Sequence, residues 1–147
     1  EIMVKLHSHA PAILHRDLTP DNLVITPAGA IRLIDFGSAH QFVEGITGTL
    51  VGKQAYIAPE QLRGKATVQS DIYSFGCCLY YLATGKEPVA LTQCDARTAG
   101  ASVSYRLNEL IMSCTAFEAA DRPASFVDVI ATLKGREALS TMEDGFL

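Results

Sequence analysis

The sequence predicts a mainly α-helical domain that carries one small β-hairpin near its start. Three observations point there. First, "NLVI" (22–25) and "IRLI" (31–34) are short, β-branched runs joined by the turn "PAGA" (27–30). Second, "DIYSFGCCLYYLA" (71–83) is apolar on nearly every face, as a helix buried all round must be. Third, Leu107, Leu110, Ile111 and Cys114 follow the i, i+3, i+4, i+7 spacing of an amphipathic helix, and Phe126, Val129, Ile130 and Leu133 repeat it.

Taken in order, "EIMVKLHSH" (1–9) reads as the end of a helix, and the chain as a piece of a longer protein. The hairpin follows. From Gly37 to Ala55, "GSAHQFVEGITGTLVGKQA" has four glycines and no sustained period, so a long loop is expected, of the kind that is usually functional. Ser70 or Asp71 can cap the buried helix, and Gly85 lies just past its end. Residues 86–103 are irregular. Ser125 with Asp128 resembles a capping box for the last helix, and Gly135 can terminate it.

The composition excludes several classes. The chain has 147 residues, 48% of them hydrophobic, and a net charge of -4 with the two signs interspersed. There is no basic block for neutralising phosphates, so a nucleic-acid partner is not expected. The longest strongly apolar run, Phe75 to Ala83, is too short to cross a bilayer, so no membrane segment is expected in this chain. Cys77, Cys78, Cys94 and Cys114 form neither a C-x-x-C nor a zinc spacing. They read as reduced, buried thiols of a cytoplasmic protein.

The residues that carry chemistry flank the hairpin. In "HRDLTPDNLVI" (15–25) an Asp is followed five residues later by an Asn, at the start of a strand. Phosphoryl transfer needs an oriented nucleophile, metal ions on the phosphates and spread positive charge. Asp17 can accept a hydroxyl proton, and Asn22 can ligate Mg2+ through its amide oxygen. Alone, the pair reads equally as a loop Asp and a turn-forming Asn. "IDFG" (34–37) adds Asp35 as a second oxygen ligand, Phe36 to bury beneath it, and Gly37 to let the chain turn away.

With both motifs in order, the sequence resembles the C-terminal lobe of a eukaryotic-type serine/threonine protein kinase. "YIAPEQL" (56–62) is similar to the family's A-P-E segment, "SDIYSFG" (70–76) to the start of its buried central helix, and "DRP" (121–123) to its late arginine. The resemblance implies a kinase lobe over 1–136 with a tail over 137–147, ATP and Mg2+ as cofactors, and a protein substrate. It implies that Asp17 is the proton acceptor, that Asn22 and Asp35 are metal ligands, and that Val24 forms the apolar floor under adenine. His15 and Phe36 would stack in an internal apolar column. Asp71 would hold the backbone at His15 and Arg16, Tyr56 would line the substrate groove, and Glu60 would pair with Arg122. Arg16 would receive a phosphate on the activation loop, for which Thr47 and Thr49 are candidates; the alternative, that both are ordinary loop residues, stays open.

The sequence departs from the family in three places. The glycine-rich loop, the strand lysine and its glutamate partner are not found before residue 15, so the N-terminal lobe is expected to be missing and the chain alone inactive. Thr19 stands where the family has lysine, and Lys53 where it has threonine. This looks like an exchange, with Lys53 reaching back toward Asp17 and Thr19 as a replacement cation with a catalytic role; the alternative is a solvent-pointing lysine. Finally, two rival functions remain. An aminoglycoside-type phosphotransferase shares the His-x-Asp-x4-Asn loop but lacks A-P-E. A pseudokinase binding module would account for Thr19 and Lys53, but not for the intact Asp17, Asn22 and Asp35.

Overall fold

The computed structural model describes residues 1–35 and 52–143, with side chains through residue 135. Phe36, Gly37, Thr47 and Thr49 lie outside the described residues, as does most of the expected long loop.

Helix α1 (Ile2–His7) leads into an extended stretch and a 3-10 turn at Pro20–Asn22, where Pro20 sits at the first position. Strands β1 (Leu23–Ile25) and β2 (Ile31–Leu33) then pair antiparallel, with Leu23 opposite Leu33, Val24 opposite Arg32 and Ile25 opposite Ile31. Gly29 closes the turn at φ 78°, a conformation that glycine adopts without a Cβ clash. One residue below the ladder, the Ile34 amide donates to the Asn22 carbonyl at 2.9 Å. This register places Asn22 and Asp35 at the same open end of the hairpin.

The rest is helical: a 3-10 turn at Gly52–Tyr56, then α2 (Pro59–Leu62), α3 (Val68–Thr84), α4 (Tyr105–Cys114), a 3-10 turn at Ala119–Asp121, and α5 (Phe126–Glu143). Helix α3 is the axis of the core. Ile72, Tyr73, Cys77 and Cys78 are buried along it and pack with Leu18, Ala96, Ile111, Cys114 and Val129. At Gly76 an added Cβ would lie 2.6 Å from the Cys114 Cβ and 2.8 Å from the Thr115 Cγ2, so glycine is what lets α3 and α4 approach. Gly85 ends α3 in the left-handed conformation, at φ 68°.

The expected cap of α3 is corrected. Its N-cap is Thr67, whose amide donates to the Ser70 hydroxyl at 2.9 Å, while Asp71 points elsewhere. Helix α5 does not stop at Gly135 but runs on to Glu143, across the boundary expected at 136. A Cβ at Gly135 would fall 2.5 Å from the Arg106 Nη2, so this glycine makes room for a neighbour's guanidinium rather than ending the helix. Leu133, expected in the core, is 39% exposed and lines a groove with Arg106, Leu107 and Leu110 of α4.

Segment 86–103, irregular in sequence, is pinned by one side chain. Asn108 of α4 is buried, accepts from the amides of Ala96 (2.9 Å) and Arg97 (3.2 Å), and donates to Asp95 at 3.1 Å. All four cysteines are free and buried. Burial pushes the Cys78 and Cys114 thiols up to about 12, so they remain protonated.

Candidate active site

Helix α3 is apolar almost all round, yet its few polar side chains organise the loops beside it. Asp71, Ser74 and Cys78 lie on one face at i, i+3, i+7 spacing. The Asp71 carboxylate is almost fully buried and accepts from the backbone amides of His15 and Arg16, both at 2.9 Å. Two turns on, the Cys78 thiol reaches the Leu18 carbonyl at 3.7 Å. Between them, Ser74 donates to the Tyr56 carbonyl at 2.8 Å. One buried helix thus holds both the Asp17 loop and the segment leading to α2.

His15 is buried and bridges two elements. Its Nδ1 accepts from the Asp17 amide at 3.2 Å, so its Nε2 carries the hydrogen and donates to the Ile34 carbonyl at 3.1 Å. The ring therefore ties the Asp17 backbone to the strand end that carries Asp35. Asn22 closes the loop from the other side. Its Nδ2 donates to the Asp17 carbonyl at 2.7 Å and to the Asp17 carboxylate at 3.1 Å. Arg16 and Asp35 both adopt positive φ, 66° and 65°, although neither is glycine. Such backbone persists only where surrounding contacts hold it, and it clusters at functional sites.

Asp17 and Asn22 are therefore in contact, and Asp35 is exposed two residues past the end of β2. The amide oxygen and the carboxylate are hard donors that suit Mg2+, which keeps several waters and takes the rest of its shell from phosphate. The residues present fit that ion. Val24 on β1 is 42% exposed, and Ile25, Ile31 and Ile34 of the same hairpin are exposed with it.

Thr19 and Lys53, the two positions of the expected exchange, differ in burial. Thr19 is buried, and its hydroxyl has no partner among the described residues. Lys53 makes its ion pair with Asp21, at 3.9 Å, with both side chains well exposed. Asp17 is already engaged by Asn22, whereas the Asp21 carboxylate stands free of the loop's hydrogen bonds. Such an exposed pair contributes about 0–1 kcal/mol.

Glu60 and Arg122 meet in a two-pronged pair, Nη1 to Oε1 at 2.6 Å and Nη2 to Oε2 at 3.0 Å. The remaining donors of Arg122 go to the carbonyls of Ala116 (2.8 Å), Gln69 (2.9 Å) and Phe117 (2.8 Å), and its guanidinium lies 4.9 Å from the centre of the Tyr73 ring. All five N–H groups are thus satisfied. Burial alone would push the Glu60 carboxyl up, but the hydrogen bonds from Arg122 and Ser70 outweigh it and hold it below its ordinary value. Tyr56 is buried, and burial followed by the nearby Glu87 keeps its phenol neutral.

Three contributors carried no signal in the sequence. His7 of α1 donates from its Nε2 to the Asp71 carboxylate over 2.8 Å and packs its ring against Phe126 at 5.4 Å. Asp21 holds Lys53. Gln61 of α2 donates to the Arg16 carbonyl at 2.7 Å. Their partners lie far away in the chain, and none follows a periodic pattern; Gln61 stood in sight only as the residue after A-P-E.

Comparison with known proteins identifies the family. A profile described as the protein kinase domain matches residues 3–133. The serine/threonine-protein kinase PknL of Mycobacterium tuberculosis is 34% identical over 150 residues, covering 90% of this chain and 37% of that protein. The mitogen-activated protein kinase kinase MST7 of Pyricularia oryzae is 39% identical over 102 residues, covering 67% of this chain and 25% of that one. The probable serine/threonine-protein kinase PknB of Corynebacterium glutamicum is 42% identical over 87 residues, covering 55% of this chain and 14% of that one. The chain therefore spans well under half the length of these relatives. The matched region runs through the Asp17 loop, the hairpin, Glu60, α3 and Arg122, and the chain belongs to the protein kinase family, with serine/threonine protein kinases, bacterial ones included, as its relatives.

Proposed function

We propose that this chain is the C-terminal lobe of a kinase that phosphorylates serine or threonine hydroxyls of proteins. The observation that carries the proposal is the double anchoring of the Asp17 loop: Asp71 holds its backbone from below, and Asn22 holds the Asp17 carboxylate from the hairpin. In this reading Asp17 accepts the proton of the attacking hydroxyl and aligns it, and Val24 lies under the adenine. Asn22 and Asp35 hold Mg2+, which when bound neutralises charge on the phosphates. His15, by fixing the Asp17 amide and the Ile34 carbonyl together, sets the spacing between proton acceptor and metal ligand. Glu60 and Arg122 tie the segment before α2 to the helical base.

The family generally uses ATP and Mg2+ and acts on proteins. Its glycine-rich loop and strand lysine are not among these residues, so the other wall of the ATP pocket comes from the lobe that carries them. The exposed apolar side chains of Val24, Ile25, Ile31 and Ile34 suit that cover. The lobe extends past 136 to the end of α5. Among the described residues no helix is long and apolar enough to cross a membrane.

A second reading, a binding module without catalysis, is favoured by one observation: the ion pair that Lys53 makes is with Asp21. Incubating the full-length protein with radiolabelled ATP and a mixed protein substrate separates the two. The kinase reading expects label on phosphoserine or phosphothreonine; ATP bound with no label transferred contradicts it.

A further inference from the structure

Gln61 has no part in the chemistry described so far, yet it contacts the residue next to Asp17. Its Nε2 donates to the Arg16 carbonyl at 2.7 Å. That carbonyl and the Asp17 amide belong to one peptide plane, and in a trans peptide they point in opposite directions. The Asp17 end of the plane is held by His15 Nδ1 at 3.2 Å. The plane is therefore gripped at both edges, from the core by His15 and from α2 by Gln61, and cannot rotate without breaking one grip. Its rotation sets the direction in which the Asp17 side chain leaves the backbone. Arg16 needs such support, because it sits at φ 66°, where L-residues other than glycine are strained.

The orientation of the Gln61 amide follows from chemistry. A carbonyl only accepts, so the NH2 must face Arg16, and Oε1 is left buried without a partner among the described residues. Flipping the amide would set two carbonyl oxygens against each other. The residue just before Gln61 is Glu60, fixed by Arg122 and by the Ser70 hydroxyl at 2.7 Å. Gln61 thus extends from a firmly anchored point.

We propose that Gln61 is a positioning residue, whose amide clamps the Arg16–Asp17 peptide and makes the direction of the Asp17 carboxylate depend on the seating of α2. The catalytic part of this inference rests on the kinase reading above; the clamp itself does not. Its consequence is regulatory: whatever displaces the segment before α2 loosens Asp17 through Gln61.

The test compares Gln61→Glu, Gln61→Leu and Gln61→Lys in the full-length protein. Glu keeps the size and loses the donor, Leu loses both polar atoms, and Lys restores a donor. Two quantities are measured: steady-state transfer, and hydrogen exchange at the Asp17 amide, with α4 amides as a control for folding. For Glu and Leu, kcat should fall roughly threefold to tenfold, the worth of one hydrogen bond, with KM for ATP nearly unchanged and faster exchange at Asp17. Lys should retain most of both properties. Wild-type values for Glu and Leu, or equal losses in all three variants, would overturn the clamp. If Leu disturbs α4, the Glu and Lys pair decides. A wild-type protein that transfers no phosphate refutes the kinase reading, while exchange at Asp17 still decides the clamp.

Discussion

Replacing Glu60 with Gln keeps the shape of the side chain and removes its charge. Arg122 is 5% exposed and directs two N–H groups at the carboxylate. Breaking a buried pair from one side costs about 3–5 kcal/mol, because the remaining charge stays buried. The Glu60 side chain is 16% exposed, so water can enter and the loss should fall at the low end, about 3 kcal/mol. Arg122→Met should cost at least as much, since the carbonyls of Ala116, Gln69 and Phe117 lose their donors as well. The two residues share one interaction, so the double variant should be less destabilised than the sum of the singles by about 2 kcal/mol. Urea unfolding followed by circular dichroism measures all three. The carboxyl also predicts a pH dependence. Its folded-state pKa lies below the ordinary value, so its contribution is complete above the ordinary carboxylate range and is lost as pH falls through the lower, folded-state value. Glu60→Gln should remove that part of the acid sensitivity. Additive single effects, or an unchanged acid profile, would refute the buried-pair reasoning.

Other expectations follow from packing. Gly76→Ala should destabilise by about 1–3 kcal/mol in a thermal melt, since its Cβ meets the Cys114 Cβ at 2.6 Å between two packed helices. Gly135→Ala should be close to neutral, because the group it meets is the tip of the flexible Arg106 side chain and the helix gains propensity. The four buried thiols should react with a disulfide reagent at pH 8 only as fast as the chain opens, and all four should react in denaturant; rapid labelling of native Cys78 or Cys114 would contradict their burial. Lys53→Met should change stability by less than about 1 kcal/mol, as its exposed pair with Asp21 implies; a larger loss in urea unfolding would show a second partner.

The hairpin, the buried helix α3 and the closeness of Asp17 to Asn22 were legible because each is encoded within a few residues, by strand alternation, helical spacing or a short motif. The meeting of Glu60 with Arg122 was legible only through the family resemblance, since nothing local links residues so far apart. Gly135 misled because its local meaning, a helix stop, is overridden by Arg106 packing over it from another helix. Thr67 rather than Ser70 caps α3 because Ser70 turns back to bond the Thr67 amide and Glu60, and Asp71 is committed to the Asp17 loop. His7 and Gln61 were invisible for the same reason: each acts through one tertiary hydrogen bond to a partner 64 or 45 residues away. The ion pair of Lys53 with Asp21 was not legible, because the pattern of charge along the sequence does not say which carboxylate a lysine reaches.

The central claim is that Asp17 acts on the attacking hydroxyl and not on the nucleotide. The most direct measurement is single-turnover phosphoryl transfer by the full-length Asp17→Asn protein, with ATP affinity determined on the same preparation. Asn preserves the size of the side chain and removes the proton acceptor. The account predicts transfer reduced by at least about a hundredfold, the usual worth of a general base, with ATP affinity within about twofold of the wild type. Transfer at the wild-type rate, or a loss explained entirely by weaker ATP binding, would contradict it.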